Sequence, residues 1–248
     1  MTQIITISVY KGGVAKTTTA AALAQAAAHK GRRVLALDLD PQGNLSLALA
    51  AEMLPETGNS YNLLMGLPAA DLIQTTPQGI DAIPACLDLL TVYSGPGSAR
   101  RLQKALEPVK KEYDLIVIDT PTAAELQYNA LQAATGLIIP LQADSYNIQS
   151  LYMITDVAAQ IKKSNPALNI TGIVITDYNG RTRHAKQVSE AIRDQATAMG
   201  VPYLGTIRHA IAVQEAATVQ QSLFDYAPKS TAAADYLKLY ETITGQEE

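Results

Sequence analysis

A segment near the start of the chain combines lysines, glycines and threonines in the manner of a phosphate-binding loop. Lys11-Gly12-Gly13-Val14-Ala15-Lys16-Thr17-Thr18 lies between an apolar run and an alanine-rich segment that stops at Gly31. Glycines let backbone N–H groups approach a phosphate closely, and the start of a following helix adds further N–H donors and a positive dipole end. We therefore expect Lys16 to reach the β- and γ-phosphates of a nucleotide and the Thr17 hydroxyl to coordinate Mg²⁺.

The second lysine of this segment departs from the ordinary P-loop pattern. That pattern has glycines where this chain has Tyr10 and Ala15, whereas the form KGGxxKT, which begins with a lysine, fits. A cation at Lys11 cannot easily crowd onto the phosphates that Lys16 binds in the same loop, but it could reach a nucleotide across a dimer interface. The alternative is that Lys11 is an ordinary solvated loop lysine.

Aspartates follow two of the apolar runs. Asp38 and Asp40 share one side of an extended segment, where paired carboxylates could hold metal-bound water and orient an attacking water. Asp119 ends the run Leu-Ile-Val-Ile-Asp and could anchor magnesium. The alternatives are a solvated turn for Asp38 and Asp40 and a helix cap for Asp119.

These residues need a scaffold, and the hydrophobic pattern predicts one. Short runs rich in Ile and Val alternate with segments of helical period, which indicates an α/β fold with a doubly wound, mostly parallel sheet flanked by helices. Helices are expected over 151–163 and 186–199, and 52–77 is the least regular stretch. We expect one domain over 1–248. The predicted strands are residues 4–10, 34–38, 80–84, 115–119, 137–141, 170–176 and 203–207.

Composition excludes several classes of protein. Nineteen Lys and Arg against 23 Asp and Glu give a net charge of −4, so nucleic acid could be bound only through a local basic patch. The single cysteine, Cys86, cannot form an internal disulfide or a cysteine-rich metal site, and a reducing cytoplasm suits it. No run approaches the length of a membrane span.

The lysine-first loop resembles that of the ParA/MinD family of P-loop ATPases, and further motifs extend the resemblance over nearly the whole chain. Asp38-Leu39-Asp40-Pro41-Gln42-Gly43-Asn44 is similar to the family's switch I motif DxDPQxN. The resemblance implies ATP and Mg²⁺ as ligands, Lys11 donated to the partner's ATP in a homodimer, and Asp40 assisting water attack. It also implies Asp38 and Asp119 near magnesium, and Thr176 and Asp177 beside the base.

The late part of the chain resembles the family's short partition ATPases. Cations there could hold DNA phosphates without reading sequence. The resemblance implies nonspecific DNA and a ParB-like centromere-binding protein as partners, a nucleoid-associated location, and no separate operator-binding domain. The alternative is that these cations form a solvated helix face. The candidate DNA-binding residues are Arg181, Arg183, Lys186 and Arg208.

Other functions remain open. A membrane-binding terminus like that of MinD is not expected, because Leu237, Tyr240 and Ile243 form a core-facing stripe while Asp235 and Glu241 would be repelled by anionic lipid. A related ATPase could instead position another cargo, such as a microcompartment or a receptor array. A P-loop kinase or synthetase acting on a small molecule would give Lys11 no role.

Overall fold

The computed structural model describes residues 2–54, 58–92, 98–144 and 147–245. One eight-stranded sheet runs through this part of the chain in the order β3-β4-β2-β5-β1-β6-β7-β8, and only the β3–β4 pair is antiparallel. The strands are β1 Gln3–Ile7, β2 Val34–Asp38, β3 Gln74–Thr75, β4 Asp81–Ile83, β5 Leu115–Asp119, β6 Gly136–Gln142, β7 Asn169–Tyr178 and β8 Tyr203–Arg208.

Helices cover the two faces of the sheet. In β5, Leu115 and Val117 pack into one hydrophobic cluster while Ile116 and Ile118 pack into another, so alternate side chains are buried on opposite faces. This is the doubly wound arrangement that the sequence predicted. The helices are α1 Lys16–His29, α2 Asn44–Ala48, α3 Ser60–Leu64, α4 Arg101–Leu106, α5 Ala124–Ala133, α6 Asn147–Lys162, α7 Arg183–Ala198, α8 Ile211–Thr218, α9 Leu223–Tyr226 and α10 Thr231–Thr244.

The first helix is buried on almost every side. Ala20, Leu23, Ala24 and Ala27 are wholly inaccessible to solvent, and α1 packs against β1, β2, β5 and α10. Small alanine side chains favour the helix and let it approach the sheet closely. The phosphate-loop segment that precedes α1 is thus attached to a helix that is buried in the core.

The strand register brings the predicted carboxylates together. Asp119 lies opposite Ile7 on one side and opposite Asp38 on the other, at the carboxyl ends of β1, β5 and β2. In open α/β sheets this edge is where ligands bind.

Each of the seven predicted strands is present; β2 and β5 have the predicted ends, and the other five differ by one to three residues at an end. The first one ends at Ile7, because residues 8–10 already lead into the loop. The two-residue strand β3 went unpredicted, since it is too short to show alternation. Within the described residues, α3 and β3 lie in the stretch that the sequence left irregular.

The C-terminal helix packs through a stripe different from the predicted one. Tyr236, Leu239 and Tyr240 are buried, whereas Leu237 and Ile243 are only partly so. The prediction was correct for Tyr240 and misplaced the centre of the stripe. Within the described residues, no helix is long and apolar enough to cross a membrane.

Candidate nucleotide-binding site

The loop between β1 and α1 has the backbone of a phosphate cradle. Gly13 and Ala15 have φ of +74° and +62°, both in the left-handed region. A Cβ added to Gly12 or Gly13 would have no neighbour within 4 Å, so the loop faces open space. Ala15 is the N-cap of α1 and supplies no capping side chain, which leaves N–H groups at the start of the helix for an anion.

Two side chains from other elements hold this loop in place through hydrogen bonds to its carbonyl groups. The Gln142 amide donates to the Gly13 carbonyl at 2.9 Å, and the Thr176 hydroxyl donates to the Val14 carbonyl at 3.1 Å. Thr176 is fully buried and supports the loop, so direct contact with a base stays a prediction for it. Gln142 was missed from the sequence, because 129 residues separate it from its partner.

The two lysines of the loop have different surroundings. Lys16 is 8% exposed, and its Nζ donates to the Lys11 carbonyl at 3.0 Å. Burial lowers the pKa of Lys16, while nearby Asp119 and Asp40 raise it. Lys11 is more exposed, and its Nζ lies 2.6 Å from the Asp144 carboxylate. Lys16 thus lies at the cradle, while Lys11 contacts an acid of its own chain.

Asp38 is a fully buried carboxylate bound by its own chain. It accepts hydrogen bonds from the Asp40 amide at 3.0 Å, the Ser46 amide at 2.8 Å and the Ser46 hydroxyl at 2.7 Å. Burial raises the pKa of Asp38 to about 6, and the three hydrogen bonds oppose that rise. These bonds fix the turn between β2 and α2 that carries Asp40. Ser46 was not singled out in the sequence.

Asp119 is buried and incompletely hydrogen-bonded. Its Oδ1 accepts from the Thr120 amide at 3.0 Å, but Oδ2 has no hydrogen-bond partner among the described residues. Burial raises the pKa of Asp119 well above its usual range and nearby Asp38 adds to the rise, while the Thr17 side chain and Lys16 oppose it. A divalent cation would stabilise this crowded negative charge.

The donor set fits magnesium. Within the described residues, no three Asp, Glu, His or Cys side chains converge into a complete cage for a metal. Mg²⁺ usually takes one or two carboxylates together with waters and substrate phosphates. The orphaned Asp119 Oδ2 and the Thr17 hydroxyl are the groups that would hold it, directly or through water.

These residues surround one cleft of about 700 Å³. Asp40 lies on its wall, half-buried, with its Oδ1 accepting from the Gln42 amide at 3.0 Å. Four buried residues lie behind the wall and hold the residues that line the cleft. They are Val14, Asp38, Asp119 and Thr176. The lining from the predicted site comprises Gly12, Gly13, Ala15, Lys16, Thr17, Thr18, Asp40, Asp177 and Arg208.

Two side-chain pairs lie at the opposite end of the cleft. Asp177 has φ of +53°, and its Oδ1 lies 2.6 Å from His209 Nδ1. The Arg208 guanidinium donates two hydrogen bonds to the Asp235 carboxylate, at 2.8 and 2.7 Å. Neither pairing was predicted from the sequence, because each joins residues far apart in the chain and no local pattern marks them.

The candidate DNA-binding residues fall into two groups. Arg181, Arg183 and Lys186 are exposed around the start of α7, and no described residue forms an ion pair with any of them. We call these three residues the basic rim. Cations near a helix N-terminus interact unfavourably with the helix dipole, so these three residues do not stabilise α7. Arg208, the fourth candidate, has its charge matched by Asp235.

Known proteins match both the sequence and the geometry. The profile of a family described as an AAA domain matches residues 2–170. The chromosome-partitioning ATPase Soj of Thermus thermophilus is 35% identical over 243 residues, which are 96% of this chain and 94% of Soj. The chain belongs to the ParA/MinD family of P-loop ATPases. It is therefore an ATPase that uses ATP and Mg²⁺.

Two solved structures share the fold of this family member. The septum site-determining protein MinD of Pyrococcus horikoshii, complexed with Mg-ADP, superposes with a TM-score of 0.79 at 28% identity, covering 97% of this chain and 95% of MinD. Cobyrinic acid a,c-diamide synthase of Mycobacterium smegmatis, with an ATP analogue and magnesium, gives a TM-score of 0.82 at 28% identity, covering 97% and 93%. The fold is therefore shared with a septum site-determining protein and with a diamide synthase.

Proposed function

We propose that this ATPase segregates DNA by switching between two nucleotide states. Mg-ATP closes two copies into a sandwich dimer, the dimer binds DNA without sequence preference, and hydrolysis returns it to a weakly binding monomer. The observation that carries the proposal is the separation of the two loop lysines, with Lys16 at the cradle and Lys11 held by Asp144 away from it.

In the proposed dimer, Lys11 reaches the nucleotide of the partner. One subunit already has Lys16 and the α1 N-terminus for its own phosphates, so a second cation in the same loop has no phosphate of its own to bind. Exchange of Asp144 for a partner's phosphate would replace one charge-assisted hydrogen bond with another. Closure therefore does not have to bury an unpaired ammonium.

Hydrolysis depends on one side of the cleft, which we call the phosphate wall: Lys16, Thr17 and Asp40, with Asp38 and Asp119 buried directly behind them. Lys16 binds the β- and γ-phosphates, and the Asp40 carboxylate accepts a hydrogen bond from the attacking water and orients it. Magnesium, held on the Asp119 and Thr17 side, supplies neutralisation of charge on the phosphate oxygens. The Ser46 bonds to Asp38 keep the Asp40 turn in place during the reaction.

The basic rim supplies the DNA contact. Arg181, Arg183 and Lys186 are available to phosphates because no described acidic side chain neutralises them. Such contacts carry charge attraction without base readout. The similarity to the chromosome-partitioning ATPase Soj supports DNA as cargo. A ParB-like protein would stimulate hydrolysis, and the protein would act in the cytoplasm on the nucleoid.

Retention on DNA in different nucleotide states tests this proposal. The protein is passed over immobilised duplex DNA with ATP, ADP or a nonhydrolysable ATP analogue at several salt concentrations. We expect retention with ATP and the analogue and release with ADP, with affinity that falls steeply as salt rises. Equal retention in all three states would contradict a nucleotide-dependent DNA switch.

The likeness to the cobyrinic acid synthase supports a second candidate, ATP-dependent synthesis on a small molecule. That activity would be stimulated by a metabolite and not by DNA or a partner protein. It would also leave turnover unchanged in a Lys11→Ala variant. ATP turnover measured with DNA present and absent separates the two candidates.

A further inference from the structure

One glutamine outside the nucleotide cleft joins two helices that line it and the segment that follows a third. Gln78 lies in the turn between β3 and β4, half-buried. Its side-chain oxygen accepts from Gln25 Nε2 at 2.9 Å, and its Nε2 donates to the Ala48 carbonyl at 2.8 Å and the Gln220 carbonyl at 3.0 Å. One side chain thereby connects α1, the end of α2 and the segment that follows α8.

Gln220 completes the connection. Its Nε2 donates to the Leu47 carbonyl at 3.2 Å, so two carbonyls at the C-terminal end of α2 are bound by glutamines. Gln220 adopts φ of +55°, a backbone conformation that a side-chain-bearing residue rarely takes. Such strain persists only where surrounding contacts enforce it. We call Gln25, Gln78 and Gln220 the glutamine clamp.

Two of the connected elements, α1 and α2, line the cleft where ATP would bind, and the connected segment directly follows a third lining element, α8. α1 starts at Lys16, Asn44 of α2 lines the cleft four residues after Asp40, and Val213 and Gln214 of α8 form part of the opposite wall. None of the clamp residues lines that cleft. The glutamine clamp can affect the reaction only through the elements that it holds.

The position of α2 depends on bonds at its two ends. A five-residue helix is too short to be stable alone, so tertiary contacts must fix it. Ser46 ties it to Asp38, and the glutamine clamp ties its last carbonyls to α1 and α8. The Leu47 amide donates to the Gly43 carbonyl and the Gly43 amide to the Asp40 carbonyl, both at 2.9 Å, so a shift of α2 moves Asp40.

Packing holds α2 on one side, where Leu45 and Ser46 are buried, whereas Leu47 on the other side is exposed. A second cavity of about 360 Å³ lies between α1, α2 and α8. It is lined largely by small or apolar side chains, among them Ala21, Ala22, Leu47, Ala48 and Ala217. With this gap beside Leu47 and Ala48, the last turn of α2 depends on the hydrogen bonds to its carbonyls as well as on the packing of Leu45.

We propose that Gln78 is a positioning residue for ATP hydrolysis, which sets the distance of the Asp40 turn from the phosphate cradle. It touches neither nucleotide nor water and acts through α2. The inference rests on the proposed role of Asp40 in orienting water. Loss of Gln78 should therefore slow the chemical step and leave ATP binding, which depends on α1, nearly unchanged.

Gln78→Ala tests the proposal against a matched control. Gln74→Ala also removes a glutamine that makes two backbone hydrogen bonds, both to Glu52, but Gln74 has no bond to α2. We expect Gln78→Ala to lower kcat about 3- to 10-fold with KM for ATP within about twofold, and Gln74→Ala to lower neither. Equal kcat values for the two variants would overturn the proposal.

Two further variants keep the test decisive if Gln78→Ala folds poorly. Gln220→Gly relieves the backbone strain and removes the bond to Leu47, so it should fold well and still lower kcat. An unchanged kcat in a folded Gln220→Gly would contradict the clamp. Asp40→Asn is assayed in parallel, since normal hydrolysis there would refute the role of Asp40 whatever the Gln78 result.

Discussion

The phosphate wall of the cleft and the basic rim differ in burial and in how their charges are held. Asp38 and Asp119 are wholly buried, at a cost in desolvation that raises the pKa of each carboxyl. The rim residues Arg181 and Arg183 are exposed and make no ion pair with any described residue. Internal hydrogen bonds fix the side chains of the wall before a ligand binds. No such bonds to acidic side chains of the described residues fix the rim, so a bound ligand would have to order it.

This difference has consequences for mutation. Groups in the wall are held by short internal hydrogen bonds, so each substitution there should change one step of the reaction sharply. Rim cations contribute singly and modestly to a surface attraction that salt screens. Substitutions in the two regions should therefore differ in magnitude and in salt dependence.

The largest effect is expected for Lys16→Ala. This change removes the cation that lies at the cradle, and loss of such a charge against a phosphate should weaken ATP binding about 100-fold or more. The folded protein should remain intact, because burial of that ammonium is itself costly. Calorimetric titration with ATP and Mg²⁺ measures the affinity, and near wild-type binding would show that the cradle lies elsewhere.

Asp40→Asn should separate binding from chemistry. The amide oxygen can still accept from the Gln42 amide, so the turn should keep its shape, while the carboxylate that we propose orients water is lost. We expect kcat to fall about 100-fold or more, with ATP affinity little changed. Steady-state hydrolysis and equilibrium binding check this, and normal turnover would remove Asp40 from the mechanism.

Asp119→Asn should make the folded protein more stable and weaken its binding of ATP with Mg²⁺. Removing the buried charge should raise the unfolding free energy by about 1 kcal/mol at neutral pH and weaken Mg²⁺-dependent ATP binding about tenfold. The native pKa of Asp119 is raised, so the native state holds this proton more tightly than the unfolded state does.

The wild-type protein therefore loses stability relative to Asp119→Asn as the pH rises above about 4, and the gain of the variant should vanish in acid. Thermal unfolding across pH measures this trend. Binding of ATP in EDTA serves as the control, since without the metal the variant should bind ATP no more weakly than the wild type. A variant less stable than the wild type at neutral pH would contradict the account of Asp119 as a costly buried charge.

The double variant Arg181→Ala, Arg183→Ala should show the weaker, salt-dependent behaviour of the rim. We expect DNA affinity to fall about tenfold and the slope of log affinity against log salt to decrease by about 2. Arg32→Ala, Arg33→Ala removes equal charge at the opposite end of the sheet and should leave both quantities unchanged. Equal losses in the two variants would mean that net charge, and not the rim, binds DNA.

The smallest effect is expected for Ala15→Gly. Its φ of +62° strains alanine and suits glycine, so the variant should be more stable by about 1 kcal/mol and melt about 2–4 °C higher. Ala50→Gly, at φ of +56° and outside the cleft lining, should give a similar gain. A lower melting temperature for Ala15→Gly would show that the loop is held by contacts specific to alanine.

The phosphate wall was predictable because its signals are local. Lysine, glycines and threonine are contiguous in the loop, and the run ending at Asp119 marks its strand by itself. The supports were not predictable, since Gln142, Ser46 and Gln78 are ordinary polar residues whose partners come together only through folding. The basic rim was visible as a charge cluster, but the pairing of Arg208 with Asp235 depends on the packing of α10 against β8.

The central claim is that ATP joins two copies through Lys11. The most direct measurement is the molar mass in solution, by light scattering, with saturating Mg²⁺ and a nonhydrolysable ATP analogue. The account predicts the mass of two chains for the wild-type protein and of one chain for Lys11→Ala, with ATP bound in both. A single-chain mass for the saturated wild type, or an equally stable dimer of Lys11→Ala, would contradict it.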